Sequence, residues 1–208
     1  GYIAGSIDND GGAIYISPQA NVVLANCVIT ESSASDNGGG IFLDQATASI
    51  TGCTISNSSA NTGGGGIYSL KSALSVVDST ISGNTATSTS YGDGGGLLVN
   101  QGSLHLDTTN VVSNIAAGDG GGVGAYSTNV DVSSSTFNGN TADGSGGAYV
   151  QSESVTFMKD STVTSNSVGA HGGGISSNSS TLKLDTVRIQ SNAATGVYSN
   201  GGGIHNSD

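Results

Sequence analysis

"GGGIFLDQATASITGCTISNSSAN" occupies residues 38–61 of this 208-residue chain. Its three glycines run straight into Ile-Phe-Leu, although glycine in a strand weakens it and costs backbone entropy. The arrangement returns at 63 as "GGGGIYSLKSALSVVDSTISGNTA" and at 172 as "GGGISSNSSTLKLDTVRIQSNAA". The apolar residues that follow each glycine cluster are Ile14, Ile41, Ile67, Leu97, Val123, Tyr149, Ile175 and Ile204. They are separated by steps of 27, 26, 30, 26, 26, 26 and 29 residues. A second landmark keeps nearly the same period: an apolar residue, Asn three positions on and Ala five positions on. It occurs as Ile81/Asn84/Ala86, Val111/Asn114/Ala116, Phe137/Asn140/Ala142 and Ile189/Asn192/Ala194. Val163/Asn166/Val168 varies the last position, and Ser replaces Asn in Ile29/Ser32/Ala34 and Ile55/Ser58/Ala60.

Between the landmarks the apolar residues alternate, as in Leu104 and Leu106, Val130 and Val132, or Leu182 and Leu184. Alternation means a strand with one buried face, and no 3.6-residue period persists long enough for a helix. Each unit therefore reads as three short strands in about 26 residues. No crossover has room for the helix of a βαβ unit, and a propeller blade needs four strands in a longer repeat. The remaining solution is a coil in which each turn lies on the last and equivalent strands pair in parallel. The expected fold is all-β: one right-handed parallel β-helix domain over residues 1–208, with about seven turns. The anchors from Ile14 to Ile204 form one inward stack, and the glycines are corner parts that recur because the corner recurs. Asn84, Asn114, Asn140, Asn166 and Asn192 form a second column. They read as an internal amide ladder, with a row of sugar-binding amides as the alternative.

Composition limits the function. Four Lys and Arg stand against 15 Asp and Glu, a net charge of -11, so nothing here can neutralise a nucleic-acid backbone. No apolar stretch is long enough to span a bilayer as a helix. Charged residues are only 9% of the chain, which leaves Ser, Thr, Asn and Gly to make the surface polar. The chain starts within a turn segment and stops just after the first strand of a new level. Further levels beyond the segment, or copies stacked end to end, are both expected from this.

The two landmarks, "GGAI" at 11–14 and "FNGN" at 137–140 among them, resemble the repeats of chlamydial polymorphic outer-membrane proteins. Related repeats belong to surface proteins of the pectin-lyase-like β-helix class. The resemblance covers essentially the whole chain. It implies a secreted or surface-displayed protein, often an autotransporter passenger or adhesin, with a protein or glycan partner. A structural or adhesive rod is the leading expectation. A polysaccharide lyase or glycoside hydrolase of this class is one alternative, and a calcium-supported, self-assembling fibre module is another.

Catalytic candidates are sparse. The basic residues are Lys71, Lys159, Lys183 and Arg188, and Arg188, next to inward Ile189, should face solvent. No catalytic residue is assigned. Asp93 and Asp119, each four residues before its anchor, make the best carboxylate pair. Stacked about 5 Å apart, they would hold a calcium ion, or stand separately in water. Apart from calcium, no cofactor is expected. His105, His171 and His205 fall on different faces or levels and lack metal-ligand spacing. Cys27 and Cys53 are 26 residues apart, each two before an inward Ile. They should stack, either as a disulfide or as two buried thiols. Two longer turns, "ATSTSYGD" at 86–93 and "ATGVYSN" at 194–200, leave one corner and carry Tyr91 and Tyr198 as candidate ligand contacts. "SESVTFMKD" at 152–160 can point either Val155 and Phe157 or Met158 inward, which predicts a bulge.

Overall fold

A computed structural model describes residues 2–4, 7–90 and 92–208, with side chains from residue 9 onward. Tyr91 lies outside the described residues. The backbone winds into a parallel β-helix in which every strand pairing is parallel. Each turn crosses three sheets. In one turn these crossings are Leu97–Asp107, Asn110–Val112 and Ile115–Ala116.

The strands differ from the sequence expectation in two ways. The first and second predicted strands lie in one sheet, and in three turns they fuse into a single 11-residue strand, as in Ile67–Val77 and Val123–Ser133. The third sheet is built from two-residue strands just after the Asn landmark, such as Thr85–Ala86 and Thr141–Ala142. Two residues show no alternation, so periodicity could not reveal them.

The register is unbroken. Ile14 pairs with Ile41, then in succession come Ile67, Leu97, Val123, Tyr149, Ile175 and Ile204. Ile41 through Ile175 are fully buried, whereas Ile204, at the last described turn, is 38% exposed. Ile81, Val111 and Phe137 likewise stand one above another. Full burial of such a side chain is worth about 1.5–3 kcal/mol, so these columns hold the shape.

The corners explain the glycines, with a correction. Each turn bends where φ is positive, and only the corner before the anchor always uses glycine for this. The other corners of the Leu97 turn are Gln101 (φ 60), Thr108 (φ 50) and Ser113 (φ 54). Short polar side chains bear the left-handed region better than apolar ones, although β-branched Thr108 is strained there. Within the glycine corner only the first residue, such as Gly120 (φ 66), needs the angle. The next, Gly121, needs space: a Cβ there would press on the carbonyl oxygens of Thr141 and Gly147.

The bulge expected near residue 155 does not form. Val155–Lys159 keeps register with the preceding strand, from Asn129↔Val155 to Ser133↔Lys159. Thr156 and Met158 point inward, while Val155 (51%) and Phe157 (38%) are exposed. Turning Thr156 inward is feasible because its hydroxyl is 2.6 Å from Tyr149 Oη and also bonds to Gln151, which donates to Ser177 Oγ at 2.9 Å. Burial also drives the Tyr149 phenol well above its ordinary pKa, which keeps it a donor.

Candidate functional site

The chemistry-bearing side chains gather at the glycine corner. Four residues before the successive anchors stand Asp10, Asn37, Gly63, Asp93, Asp119, Ser145, His171 and Asn200. The short sheet delivers the chain to this corner, and the positive-φ glycine then turns it into the anchor strand. Each side chain in the column can therefore lie over the next turn. Asp93 Oδ1 accepts the Asp119 N–H at 2.8 Å, and Asp119 Oδ1 accepts the Ser145 N–H at 2.6 Å. Asp10 Oδ1 accepts the N–H and the side-chain amide of Asn37, both at 3.1 Å. Ser145 Oγ accepts from His171 N at 3.4 Å, and His171 Nδ1 accepts from Asn200 N at 3.1 Å. Gly118 and Gly144 are needed beneath this column, because a Cβ at either would collide with the carboxylate of Asp93 or Asp119.

Asp93 and Asp119 are thus brought together on adjacent turns, with a backbone N–H between them. That donor stands between the two carboxylates and offsets part of the repulsion expected of a stacked pair. The second oxygen of Asp93 accepts the Tyr126 hydroxyl at 3.0 Å. Burial and the two carboxylates push the Tyr126 phenol far above its usual range. Asp119 is itself raised, first by burial and then by Asp93, against the lowering effect of the Ser145 N–H. With Asp143, Thr89 and Ser90 these carboxylates border a hollow of about 530 Å³. Among the described residues, no three His, Cys, Asp or Glu side chains converge as a metal site.

The asparagine column is a different structure. Asn84, Asn114 and Asn140 are fully buried and Asn166 nearly so. Asn140 Oδ1 accepts the N–H and the side-chain amide of Asn114, each at 3.0 Å. Its own Nδ2 donates to Val111 O at 2.9 Å and to Asn166 Oδ1 at 3.0 Å. Asn192 continues the series at the partly exposed end, accepting from Asn166 at 2.8 Å. Buried and saturated, Asn84 through Asn166 present nothing to a ligand.

Cys27 and Cys53 stack as expected, but they are free thiols and form no disulfide. Cys53 Sγ accepts the Cys27 N–H at 3.3 Å, the part played one turn further along the same column by Ser79 Oγ toward Cys53 N at 3.0 Å. Ser135 and Ser161 repeat it, so the sulfur stands in for a ladder hydroxyl. Burial raises the Cys53 thiol above its ordinary pKa. Tyr198, 89% exposed beside Val197, stands out in solvent. Arg188 is exposed and, among the described residues, bonds Gln190 and no carboxylate. His105 faces outward beside Asp131, its Nδ1 3.3 Å from the carboxylate.

Three groupings escaped the sequence reading. The residue after each anchor points away from the core, and there Tyr15 stacks on Phe42 with ring centroids 5.4 Å apart while Tyr68 meets Phe42 edge-on at 5.3 Å. The signal was present in "IY", "IF" and "IY" after successive glycine clusters. Tyr126 joining Asp93 depends on a corner closing over a strand, for which the sequence carries no marker. The third is a contact between levels: His171 and His205 belong to different turns, as expected, yet their rings stack at 4.7 Å. One leaves the corner and the other the next anchor strand, and both face the same hollow.

This fold matches a known class. Residues 12–185 match the family model described as "Right handed beta helix region", and the chain belongs to that family. No curated protein and no solved structure shows significant similarity to it.

Proposed function

We propose that the chain is a structural or adhesive rod that works outside the cell or at its surface, presenting its long outer faces to a protein or glycan and cleaving nothing. The observation that carries this reading is how the corner side chains are used. Asp93, Asp119, Ser145 and His171, the residue types a hydrolase or lyase would need, direct their acceptor atoms at the backbone N–H of the next turn. They act as rung-to-rung fasteners. The four basic side chains are exposed and stand on other columns, so none is poised beside the Asp93–Asp119 pair. The likeness of the repeats to chlamydial outer-membrane proteins supports surface display.

The test pairs two assays on the same preparation: cleavage of a panel of acidic and neutral polysaccharides, and saturable binding to immobilised glycans and cell surfaces. Binding without bond cleavage is the expected result. Turnover of any polymer that disappears in Asp119→Asn would overturn the reading in favour of a β-helix enzyme. Scanning calorimetry with calcium and with chelator addresses the fibre-module alternative, since a calcium-dependent rise in unfolding temperature would assign the hollow at Asp93 and Asp119 to a cation.

A further inference from the structure

We propose that His171 and His205 form an acid-sensitive joint between the last two described turns. From Asp93 onward the corner column joins its turns by one device, a side-chain acceptor facing the next backbone N–H. At Asp93, Asp119 and Ser145 the acceptor is a carboxylate or hydroxyl oxygen, which keeps a lone pair on the N–H at neutral and mildly acidic pH. At His171 it is imidazole Nδ1, 3.1 Å from Asn200 N. Imidazole is the side chain whose protonation changes between about pH 5 and 8. A proton on Nδ1 replaces the lone pair by a second N–H, which then points at the N–H of Asn200, and the bond is lost.

Among the described residues no carboxylate is in ion-pair contact with either ring. His205 lies against His171 at 4.7 Å with an interplanar angle of 27°, so charging both rings adds repulsion between them. The hollow they share, about 280 Å³, also contains Asp119 and Tyr126 as its other titratable groups. Asp119 is engaged with Ser145 N, and the Tyr126 hydroxyl with Asp93. Among the described residues the one histidine with a carboxylate in ion-pair contact is His105, not this pair. A metal ion is the less suitable ligand. With the Nδ1 lone pair committed to Asn200, neutral His171 carries its proton on Nε2, and coordination there would require releasing the joint.

Amide exchange followed by NMR on the whole chain tests this, comparing about pH 8 with about pH 5 after correction for intrinsic rates. Protection of the Asn200 amide should fall about tenfold or more on acidification, while that of Asn114 in the middle of the rod holds. In His171→Gln, or in His171→Asn, which places here the side chain that Asn37 carries in this column, an oxygen accepts at either pH and the acid loss should vanish. Asp119→Asn should leave the loss unchanged. Equal protection of Asn200 at both pH values in the unmodified chain would overturn the proposal, as would an undiminished acid loss in both His171 variants. Should either variant lose protection at both pH values, the unmodified chain decides.

Discussion

The asparagine column and the glycine-corner column solve the same problem with different chemistry. In both, a side chain on one turn accepts the backbone N–H of its counterpart on a neighbouring turn, satisfying a corner donor that no sheet ladder reaches. The asparagines reach backward, Asn140 to Asn114, and the corner carboxylates forward, Asp93 to Asp119. The decisive difference is water. Asn84, Asn114 and Asn140 have no exposed surface, whereas Asp93, Asp119 and His171 are partly open. A dry column needs a group that both donates and accepts and carries no charge, and the primary amide is that group. A column touching solvent can hold carboxylates and imidazole, and with them it becomes sensitive to pH.

Exchanging the chemistries should break the contrast unequally. Asn140→Asp should have the largest effect, about 4 kcal/mol or more at neutral pH, because its second oxygen would face Val111 O and Asn166 Oδ1 where an amide now donates. Chemical denaturation measures this, and a loss no greater than that of Asn140→Ala would refute the charge argument. Asn140→Ala should cost about 3 kcal/mol by stranding the Asn114 N–H and the Val111 carbonyl. Asn140→Ser should recover part of that, since Ser58 Oγ already accepts the Ser32 N–H in the same column.

A buried polar group outside either column sharpens the point. Ser69 Oγ is buried with no hydrogen-bond partner, between Leu43 and Val99 in register. Ser69→Val should therefore raise stability by about 1–2 kcal/mol, seen as a higher unfolding midpoint. The smallest effect belongs to Asp119→Asn, which keeps the acceptor for Ser145 N and removes the charge. Burial raises the Asp119 pKa, so the folded state binds this proton more tightly than the unfolded chain does. The ionised form is then penalised above the raised value, and the penalty fades as pH falls through it. The variant should be more stable at neutral pH by less than about 1 kcal/mol, given the solvent screening, and the gain should disappear in acid. A gain that grew on acidification would contradict this sign.

Much of the fold could be read in the sequence because a solenoid writes its geometry as columns. Ile41, Ile67 and Leu97 announce the period, and Asn114, Asn140 and Asn166 mark an interior corner that nothing else would repeat so faithfully. What could not be read depends on contacts between columns. Phe157 looks like a core residue until register with Asp131 places it outside. The spacing of Cys27 and Cys53 leaves a disulfide and a pair of thiols equally open until the hydroxyls of Ser79, Ser135 and Ser161 show what the position requires. The His171–His205 stack joins an offset four before one anchor to an offset one after the next, a relation that no single period displays. The Asp93–Asp119 pair was legible as a juxtaposition, but the N–H between them was not.

The claim beneath all of this is that successive turns are fastened in register by side chains bonded to their neighbours' backbone. Hydrogen exchange at the Asn114 amide examines that bond directly. In the unmodified chain this amide should exchange only through global unfolding, and in Asn140→Ala it should open locally and exchange far faster than the flanking strand amides. An Asn114 amide that exchanges within minutes in the unmodified chain, or is indifferent to loss of Asn140, would contradict the account.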